Sequence, residues 1–225
     1  MDGILLIDKP AGMTSHDVVD LIRRRFDIKK AGHAGTLDPA ATGLLVVLIG
    51  KATKLSLKLT NSDKEYEAVM TLGRKTDSGD AEGKMLSEND CRGITEEKVR
   101  DAFRSFEGER EQIPPMFSAI RHKGTRLYKL ARKGKEVPRQ PRKIRIEKLE
   151  INKIALPVIH FIVRCSKGTY IRKLCDDLGD MLGCGAHLSG LRRVSSGEFS
   201  LKDSVDTAII KSISKRELEG LLIKI

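Results

Sequence analysis

A loop early in the chain carries a carboxylate in a setting that suits catalysis. The segment reads Gly32-His33-Ala34-Gly35-Thr36-Leu37-Asp38-Pro39. Proline fixes its own φ and biases Asp38 away from helical backbone, and the neighbouring glycines allow a ligand to approach the main chain closely. Asp38 is therefore a candidate catalytic group. An ordinary Asp-Pro turn would fit the same segment, so the loop alone leaves both interpretations open.

Positive charge is concentrated in one short segment. The 225 residues carry a net charge of +11, and residues 121–148 hold twelve lysines and arginines against two acids, a surplus of ten. Such a concentration, with glycine and proline interleaved, predicts a hairpin or loop that contacts phosphates. A solvated surface face is the plainer alternative. Aromatic residues make up only 4% of the chain, which argues against a base-stacking platform.

The composition argues against several other classes of protein. No apolar stretch reaches the roughly 18 residues of a membrane span, and the N-terminus lacks the basic start of a secretory signal, so the cytosol is the expected compartment. The four cysteines form no CxxC pair and have no histidine at metal-ligand spacing, which predicts free thiols and no metal. No glycine-rich phosphate loop follows a predicted strand, which argues against an NTPase or a dinucleotide enzyme.

Strand-like and helix-like segments alternate, which predicts an α+β fold. The expected strands are 3–7, 44–49, 64–72, 144–151, 158–165 and 188–194. The expected helices follow Thr14-Ser15 and Thr95, cover 169–182, and follow Ser214 as a terminal helix within 214–225. The run 44–49 is apolar throughout, so this strand should be buried on both faces. Residues 31–43 and 73–93 are rich in glycine and polar residues and are predicted as loops.

Three blocks of sequence resemble, in order, the TruB family of pseudouridine synthases. The first block is Leu6-Ile7-Asp8-Lys9-Pro10 with Gly12 and Ser15. The second is Gly32-His33 through Asp38-Pro39, followed by Thr42-Gly43-Leu44. The third is Cys165 through Arg172, continuing to Asp177-Leu178-Gly179, Gly185-Ala186-His187 and Leu191-Arg192-Arg193. Lys64-Glu65-Tyr66 and the block Thr76 to Gly83 lie between them, so the resemblance covers roughly residues 3–200.

The resemblance implies a reaction and the residues that perform it. The family breaks the N1–C1′ bond of uridine, rotates the base and rejoins it through C5, without redox change or hydrolysis, so no cofactor and no metal are expected. Asp38 matches the essential aspartate, which attacks C1′ or C6 or stabilises an oxocarbenium ion. Arg172 matches the arginine that pairs with this aspartate and lowers its pKa. Without the resemblance, Arg172 would be interpreted as a surface residue of an amphipathic helix.

Other positions match residues that hold the substrate. Tyr66 matches the tyrosine that stacks on the target base, the alternative being a buried strand aromatic. Leu191 matches an apolar residue of the uracil pocket, where an ordinary core leucine fits equally. His33 matches a histidine that helps to hold a flipped-out loop, because an enzyme acting on a base must extrude it. Lys9 and Pro10 match the first motif, with a structural role ahead of a catalytic one.

The basic segment corresponds to the family region that grips the T-arm of tRNA, which makes Arg121, Lys133 and Arg142 candidate contacts. RNA loops with splayed bases are where proteins read sequence. The implied activity is conversion of the T-loop uridine, position 55 of tRNA, by a monomer that needs neither a protein partner nor a membrane. Phe117 departs from the family pattern because tyrosine is common there, and a hydrogen bond could be lost.

The implied architecture is the pseudouridine synthase fold, an α+β fold with a central mixed, largely antiparallel sheet flanked by helices. Residues 1–200 are expected to form the catalytic domain and 201–225 a short helical extension, too short for the RNA-binding PUA domain of longer members.

Two alternatives to the stand-alone tRNA enzyme stay open. One is a guide-RNA-dependent synthase of the Cbf5 type, against which the blocks 76–83 and 183–187 favour the bacterial form. The other is a non-catalytic tRNA-binding or tRNA-folding protein, against which Asp38, Tyr66 and Arg172 speak.

Overall fold

Short strands and helices alternate through residues 1–225, all of which the computed structural model describes. The strands are β1 (Gly3–Lys9), β2 (Ala31–Ala34), β3 (Thr42–Ile49), β4 (Lys64–Leu72), β5 (Arg74–Thr76), β6 (Met85–Glu88), β7 (Gly108–Gln112), β8 (Arg121–His122), β9 (Thr125–Arg126), β10 (Arg142–Ala155), β11 (Val158–Cys165), β12 (Ala186–Ser196), β13 (Phe199–Ser200) and β14 (Val205–Asp206). The α-helices are α1 (Ser15–Phe26), α2 (Ser56–Thr60), α3 (Glu96–Ser105), α4 (Leu127–Ala131), α5 (Ile171–Met181), α6 (Thr207–Ser212) and α7 (Lys215–Gly220). The 3₁₀ turns are Gly50–Leu55 and Leu201–Asp203.

The first of two units consists of Met1–Glu67 and Gly190–Ile225. Within it, β3 runs antiparallel to β1 and β2 and pairs in parallel with β12 at Thr42 and Gly43. β1 also pairs in parallel with β14, and β13 folds back on β12. Parallel and antiparallel pairs therefore occur together, as the predicted mixed sheet requires.

The side chains of β3 enter two separate apolar clusters, because successive residues of a strand point to opposite faces. The odd-numbered residues from Leu45 to Ile49 pack in the cluster that holds α1, and the even-numbered residues from Leu44 to Leu48 pack in the other. All six side chains are at most 1% exposed. The prediction of a strand buried on both faces is confirmed.

The start of α1 follows from its sequence. The Thr14 hydroxyl accepts a hydrogen bond from the Asp17 amide at 3.0 Å, and the Asp17 carboxylate accepts one from the Thr14 amide at 2.8 Å. This reciprocal cap satisfies two amides that the first helical turn leaves free. Val18, Ile22 and Phe26 then form the buried stripe, as predicted. The cap fixes the position of Ser15, which contacts the Asp38 loop.

The second unit is Ala68–Ser189. Its strands β7, β10 and β11 are antiparallel neighbours in that order. Thr95 caps α3 through the Lys98 amide, as predicted, and Phe103 of this helix meets Phe161 of β11 edge to face, with ring centroids 5.3 Å apart. The predicted α+β class, with a mixed, largely antiparallel sheet and flanking helices, is confirmed.

Two predicted loops contain strands, so both predictions need correction. Ala31–Ala34 of the first loop forms β2, and the second loop includes β5 and β6, which form an antiparallel hairpin. These strands are three or four residues long and have low intrinsic β-propensity. Backbone pairing with neighbours distant in sequence, rather than local pattern, makes β2 a strand.

The C-terminal residues contribute to the core of the first unit. Ile210 of α6 and Leu218 of α7 are fully buried in the cluster that holds α1. The terminal helix predicted within 214–225 begins with the expected Ser214 cap but ends at Gly220. The division at residue 200 stays a prediction. No helix in the structure is both long enough and apolar enough to span a bilayer.

Candidate active site

The backbone on either side of Asp38 is held by hydrogen bonds to other residues of the first unit. The Ser15 hydroxyl accepts a hydrogen bond from the Leu37 amide at 2.8 Å and donates one to the Leu37 carbonyl at 3.1 Å. Ser15 is 2% exposed and Leu37 is 3% exposed. The amide of Gly12 donates to the Pro39 carbonyl at 2.9 Å. None of these bonds involves the Asp38 carboxylate. They hold the residues on either side of Asp38 without using its side chain as a partner.

Lys9 supplies a further anchor for the same loop. Its side chain is completely buried, and its amine donates to the carbonyls of Pro10, Met13 and Pro39 at 2.8, 2.7 and 3.2 Å. Burial and the nearby Arg193 charge lower the pKa of Lys9 to about 8, against the opposing attraction of Asp38. The geometry favours the structural role that the resemblance implies for this lysine.

Removing Lys9 should change how stability depends on pH. Its pKa is about 8 in the folded chain and 10.5 in the unfolded chain, so the unfolded chain binds more protons between these values. The free energy of unfolding therefore rises with pH across this window. Lys9→Met lacks this contribution. We therefore expect the difference in free energy of unfolding between the wild type and the variant to grow by on the order of 1–2 kcal/mol between about pH 7.5 and about pH 9.5.

The measurement is urea unfolding of both proteins at the two pH values. The variant should be less stable at both, because the carbonyls of Pro10, Met13 and Pro39 lose the amine that donates to them. A stability difference that does not change with pH would contradict the lowered pKa of Lys9.

Arg193 holds the beginning of the loop. Its side chain is 1% exposed, and its guanidinium donates to the carbonyls of Leu44 at 2.7 Å and Gly35 at 3.1 Å. Gly43 has φ +96°, and a Cβ added there would overlap the backbone of Arg193. Gly43 is therefore required for the close pairing of β3 with β12, which brings Arg193 to the loop.

His33 lies on β2, on the approach to the same loop. Burial, followed by the charges of Arg193 and His16, lowers the pKa of His33 below its ordinary value of 6.5. The imidazole is therefore neutral at pH 7. Its Nδ1 is buried and has no hydrogen-bond partner, so this nitrogen is a polar atom that a ligand could satisfy.

The remaining predicted residues of this unit lie on β4 and β12. Tyr66 is 9% exposed on β4, and Leu191 is half-buried on β12. The Leu191 carbonyl accepts a 3.4 Å hydrogen bond from the Thr42 hydroxyl. The neighbouring Arg192 forms a 2.6 Å ion pair with Asp8 of β1. Sequence reasoning missed this pair, although both members lie in blocks that carry the resemblance.

In the second unit, Arg172 is a buried side chain at the start of α5, and not the surface residue that its helical position alone would suggest. It is 6% exposed. Its guanidinium donates to the carbonyls of Ser78 and Phe117 at 2.9 and 2.8 Å and lies 3.5 Å from the Asp80 carboxylate. The contact with Phe117 is made by the main chain, so it does not depend on the tyrosine that is common at that position.

A tight turn between β5 and β6 presents the Ser78 carbonyl to Arg172. Gly79 has φ +77°, and a Cβ there would lie 3.3 Å from the Arg172 carbonyl. The Asp80 carboxylate accepts from the Ser78 hydroxyl at 2.6 Å and from the Glu82 amide at 3.1 Å. The sequence shows the block Thr76 to Gly83 as a motif, but it does not indicate that this block supports Arg172.

The basic segment lies entirely in the second unit. Its first part is the predicted hairpin, β8 and β9, followed by α4 and an irregular stretch up to β10. Arg121, Lys133 and Arg142 are all exposed. A cavity of about 520 Å³ has both Arg172 and residues of this segment, including Lys135 and Arg139, in its lining. Arg139 is committed to the protein, because it pairs with Glu136 at 2.7 Å.

The predicted site residues thus fall into two groups. The first unit holds Asp38 with Lys9 and His33 around one anchored loop, and also Tyr66 and Leu191. The second unit holds Arg172 and the three basic candidates, Arg121, Lys133 and Arg142.

Comparisons with known proteins agree on one family. Residues 23–171 match the model of the TruB family pseudouridylate synthase, N-terminal domain, and residues 172–222 match that of the tRNA pseudouridylate synthase B C-terminal domain. A protein of Opitutus terrae named tRNA pseudouridine synthase B is 50% identical over 100% of this chain and 93% of its own length. A protein of Geotalea uraniireducens with the same name is 53% identical over 91% of this chain and 66% of its own length.

Solved structures give the same fold. A chain from a Cbf5–Nop10–Gar1 complex superposes with a TM-score of 0.72 and 34% identity, over 92% of this chain and 52% of that one. A chain from an H/ACA RNP bound to a substrate RNA containing 2′-deoxyuridine superposes with a TM-score of 0.72 and 29% identity, over 99% of this chain and 56% of that one. The present chain therefore spans about half the length of these solved chains.

Proposed function

The chain belongs to the TruB family of pseudouridylate synthases, and on that premise we propose that it is a tRNA pseudouridine synthase that isomerises the T-loop uridine at position 55, with Asp38 as its nucleophile. The observation that carries the proposal is the anchoring of the Asp38 loop. Ser15 and Lys9 hold the residues on either side of Asp38 through their backbones. A nucleophile held in this way loses little freedom when the substrate binds.

The reaction needs an ionised carboxylate at a fixed place. Asp38 attacks C1′ or C6 of the flipped-out nucleotide. The N1–C1′ bond breaks, the base turns, and C5 forms the new bond to C1′. C5 loses its proton and N1 gains one, so substrate and product are isomers and the balance calls for no oxidant, reductant or added water. Tyr66 stacks on the base in this proposal, and Arg172 keeps the carboxylate ionised.

In the same proposal, His33, Leu191 and the basic segment bind the substrate RNA. A neutral imidazole with an unpartnered Nδ1 is suited to stack or bond where a base has left its loop. Leu191 supplies apolar surface to the uracil. The expectations of a monomer in the cytosol, without cofactor, membrane or obligatory protein partner, belong to the same proposal.

The sequence identities favour a stand-alone enzyme over the guide-dependent alternative. The relatives named tRNA pseudouridine synthase B are 50% and 53% identical, against 34% and 29% for the chains from the Cbf5 and H/ACA complexes. The non-catalytic alternative would leave unexplained why Asp38, Tyr66 and Arg172 are all present.

Mapping the modified position tests the proposal. The purified chain is incubated with an unmodified tRNA transcript, and pseudouridine is located by carbodiimide labelling and primer extension. We expect a single stop at the T-loop uridine, and none in a transcript with cytidine at that position. Modification that appears only after a guide RNA is added would support the Cbf5-type alternative instead.

The basic segment should set the salt dependence of tRNA binding. Lys133, Lys135 and Arg142 are exposed, so changing all three to Gln should weaken binding with little effect on folding. We expect the slope of log K against log salt concentration to become shallower by about 0.7–0.9 for each phosphate that the protein no longer neutralises. Fluorescence anisotropy of a labelled T-arm hairpin at several salt concentrations measures this slope.

The matched control removes the same number of positive charges from another element of the second unit. Lys98, Arg100 and Arg104 lie exposed on α3, and their Gln variants should keep the wild-type slope. A wild-type slope in the basic-segment variant would mean that these residues do not contact the RNA.

A further inference from the structure

Two thiols of the second unit lie beside the same glycine. Gly73 stands between β4 and β5 with φ +87°, in the left-handed region that favours glycine. The sulfur of Cys91 is 3.7 Å from the point that a Cβ on Gly73 would occupy. The Gly73 amide points to the sulfur of Cys184, and the Cys91 thiol acts electrostatically on that sulfur. Two cysteines from distant parts of the chain therefore come together at this glycine.

Hydrogen bonds hold the two segments that carry these cysteines against each other. The Asn89 amide donates to the Gly73 carbonyl at 2.7 Å, and the Gly73 amide donates to the Gly185 carbonyl at 2.9 Å. The side-chain amide of Asn89 also donates to the Cys184 carbonyl at 3.1 Å. A disulfide requires two cysteine Cα atoms within about 7 Å of each other. Segments bonded to each other both directly and through a shared glycine suit this requirement.

The two thiols differ in their access to solvent. Both are free, but Cys91 is half-buried and Cys184 is only 2% exposed. Burial raises the pKa of the Cys184 thiol, which further lowers its reactivity toward a reagent in solution. Such a reagent meets Cys91 first, and Cys184 then reacts with the group already attached to Cys91. An accessible thiol next to a second, resolving thiol is the arrangement of redox-sensing cysteines.

We propose that Cys91 and Cys184 form a reversible disulfide when the chain meets an oxidised low-molecular-weight thiol. The Cys91 thiolate attacks the small disulfide, forms a mixed disulfide and releases one small thiolate. The Cys184 thiolate then attacks the Cys91 sulfur, forms the bond between the two cysteines and releases the second small thiolate. The protein thiols lose two protons and two electrons, and the small disulfide takes up both and becomes two thiols.

The disulfide fastens the element that supports Arg172. The β5–β6 hairpin ends shortly before Cys91, and its turn presents the Ser78 carbonyl to Arg172. The bond ties the open end of this hairpin to Cys184 in the turn between α5 and β12. It also closes the long loop of chain between the two cysteines, which restricts the unfolded chain. The oxidised chain should therefore resist unfolding better than the reduced chain.

The test is oxidation of the purified, reduced chain with hydroxyethyl disulfide, followed by mass spectrometry of the intact protein and of its peptides. We expect the wild type to lose the mass of two hydrogens, with the new bond between Cys91 and Cys184. The urea concentration at the midpoint of unfolding should shift upward, and a reducing agent should reverse both changes. Cys184→Ser should instead keep one hydroxyethyl group on Cys91, because no thiol displaces it.

The control is Cys175→Ala, which removes a fully buried thiol of α5 in the same unit and leaves the pair intact. It should form the same disulfide as the wild type. A wild-type chain that stays unmodified, or that keeps the hydroxyethyl group on Cys91, would overturn the inference, as would a bond to Cys165 or Cys175. The wild-type mass decides between these outcomes even if Cys184→Ser folds poorly.

Discussion

Asp38→Asn should abolish pseudouridine formation while leaving tRNA affinity within a few-fold of wild type. The amide has nearly the shape of the carboxylate but is not a nucleophile, and loss of a catalytic nucleophile costs about 10⁴-fold or more in turnover. The loop should keep its conformation, because Ser15 and Lys9 bind the backbone of Leu37 and Pro39 rather than the side chain of Asp38. Nucleoside analysis of digested tRNA measures turnover, and anisotropy measures affinity.

Asp203→Asn is the matched control, since Asp203 is an exposed aspartate of the same unit and its change should leave the rate unaltered. If Asp38→Asn kept a substantial rate, Asp38 would have to be replaced as the nucleophile. If it lost affinity in step with turnover, the loop would be a binding element instead.

Arg172→Met should lose turnover and stability together. The guanidinium donates to two backbone carbonyls and faces the partly buried Asp80 carboxylate, so its removal leaves both carbonyls without this donor and Asp80 without this positive charge. Breaking a buried charge pair in this way costs about 3 kcal/mol. Loss of turnover follows from the proposed pairing, which keeps the catalytic carboxylate ionised at neutral pH. Urea unfolding and nucleoside analysis measure the two effects.

The pH profile separates these two roles of Arg172. If Arg172 also lowers the pKa of Asp38, this pKa should be higher in the variant. The residual rate of the variant should then rise with pH further into the neutral range than the wild-type rate does. Arg164→Met serves as control, because Arg164 is an exposed arginine of β11 that pairs with Glu147 at 3.0 Å. Full activity in Arg172→Met would exclude a role in catalysis, and unchanged stability would contradict the buried contacts.

Some helices and strands can be predicted from short-range patterns in the sequence alone. The Thr14 cap and the stripe of Val18, Ile22 and Phe26 predicted α1, and the apolar run of β3 predicted a strand buried on both faces. The sequence does not indicate β2, because Ala31 and Gly32 have little preference for strands. Its conformation comes from pairing with β3, a contact that local pattern does not encode.

The chemical groups of the site were predictable, but their supports were not. Asp38 stands out through its motif, whereas Ser15 lies 22 residues from its partner Leu37, and Arg193 lies 158 residues from Gly35. A fully buried lysine such as Lys9 also contradicts the usual exposure of charged residues. Only the fold, by bringing β1 and β12 to β3, makes these groups neighbours of the Asp38 loop.

Release of tritium from C5 of uridine reports pseudouridine formation, because the new C5–C1′ bond displaces the C5 proton. An unmodified tRNA transcript, tritiated at C5 of its uridines, is incubated with the wild-type chain alone, without added metal, nucleotide, guide RNA or protein, and Asp38→Asn serves as the blank. We expect the wild type to release a single equivalent of tritium per tRNA and the blank to release none. If the wild type bound the transcript and released no tritium, the chain would not be a stand-alone pseudouridine synthase.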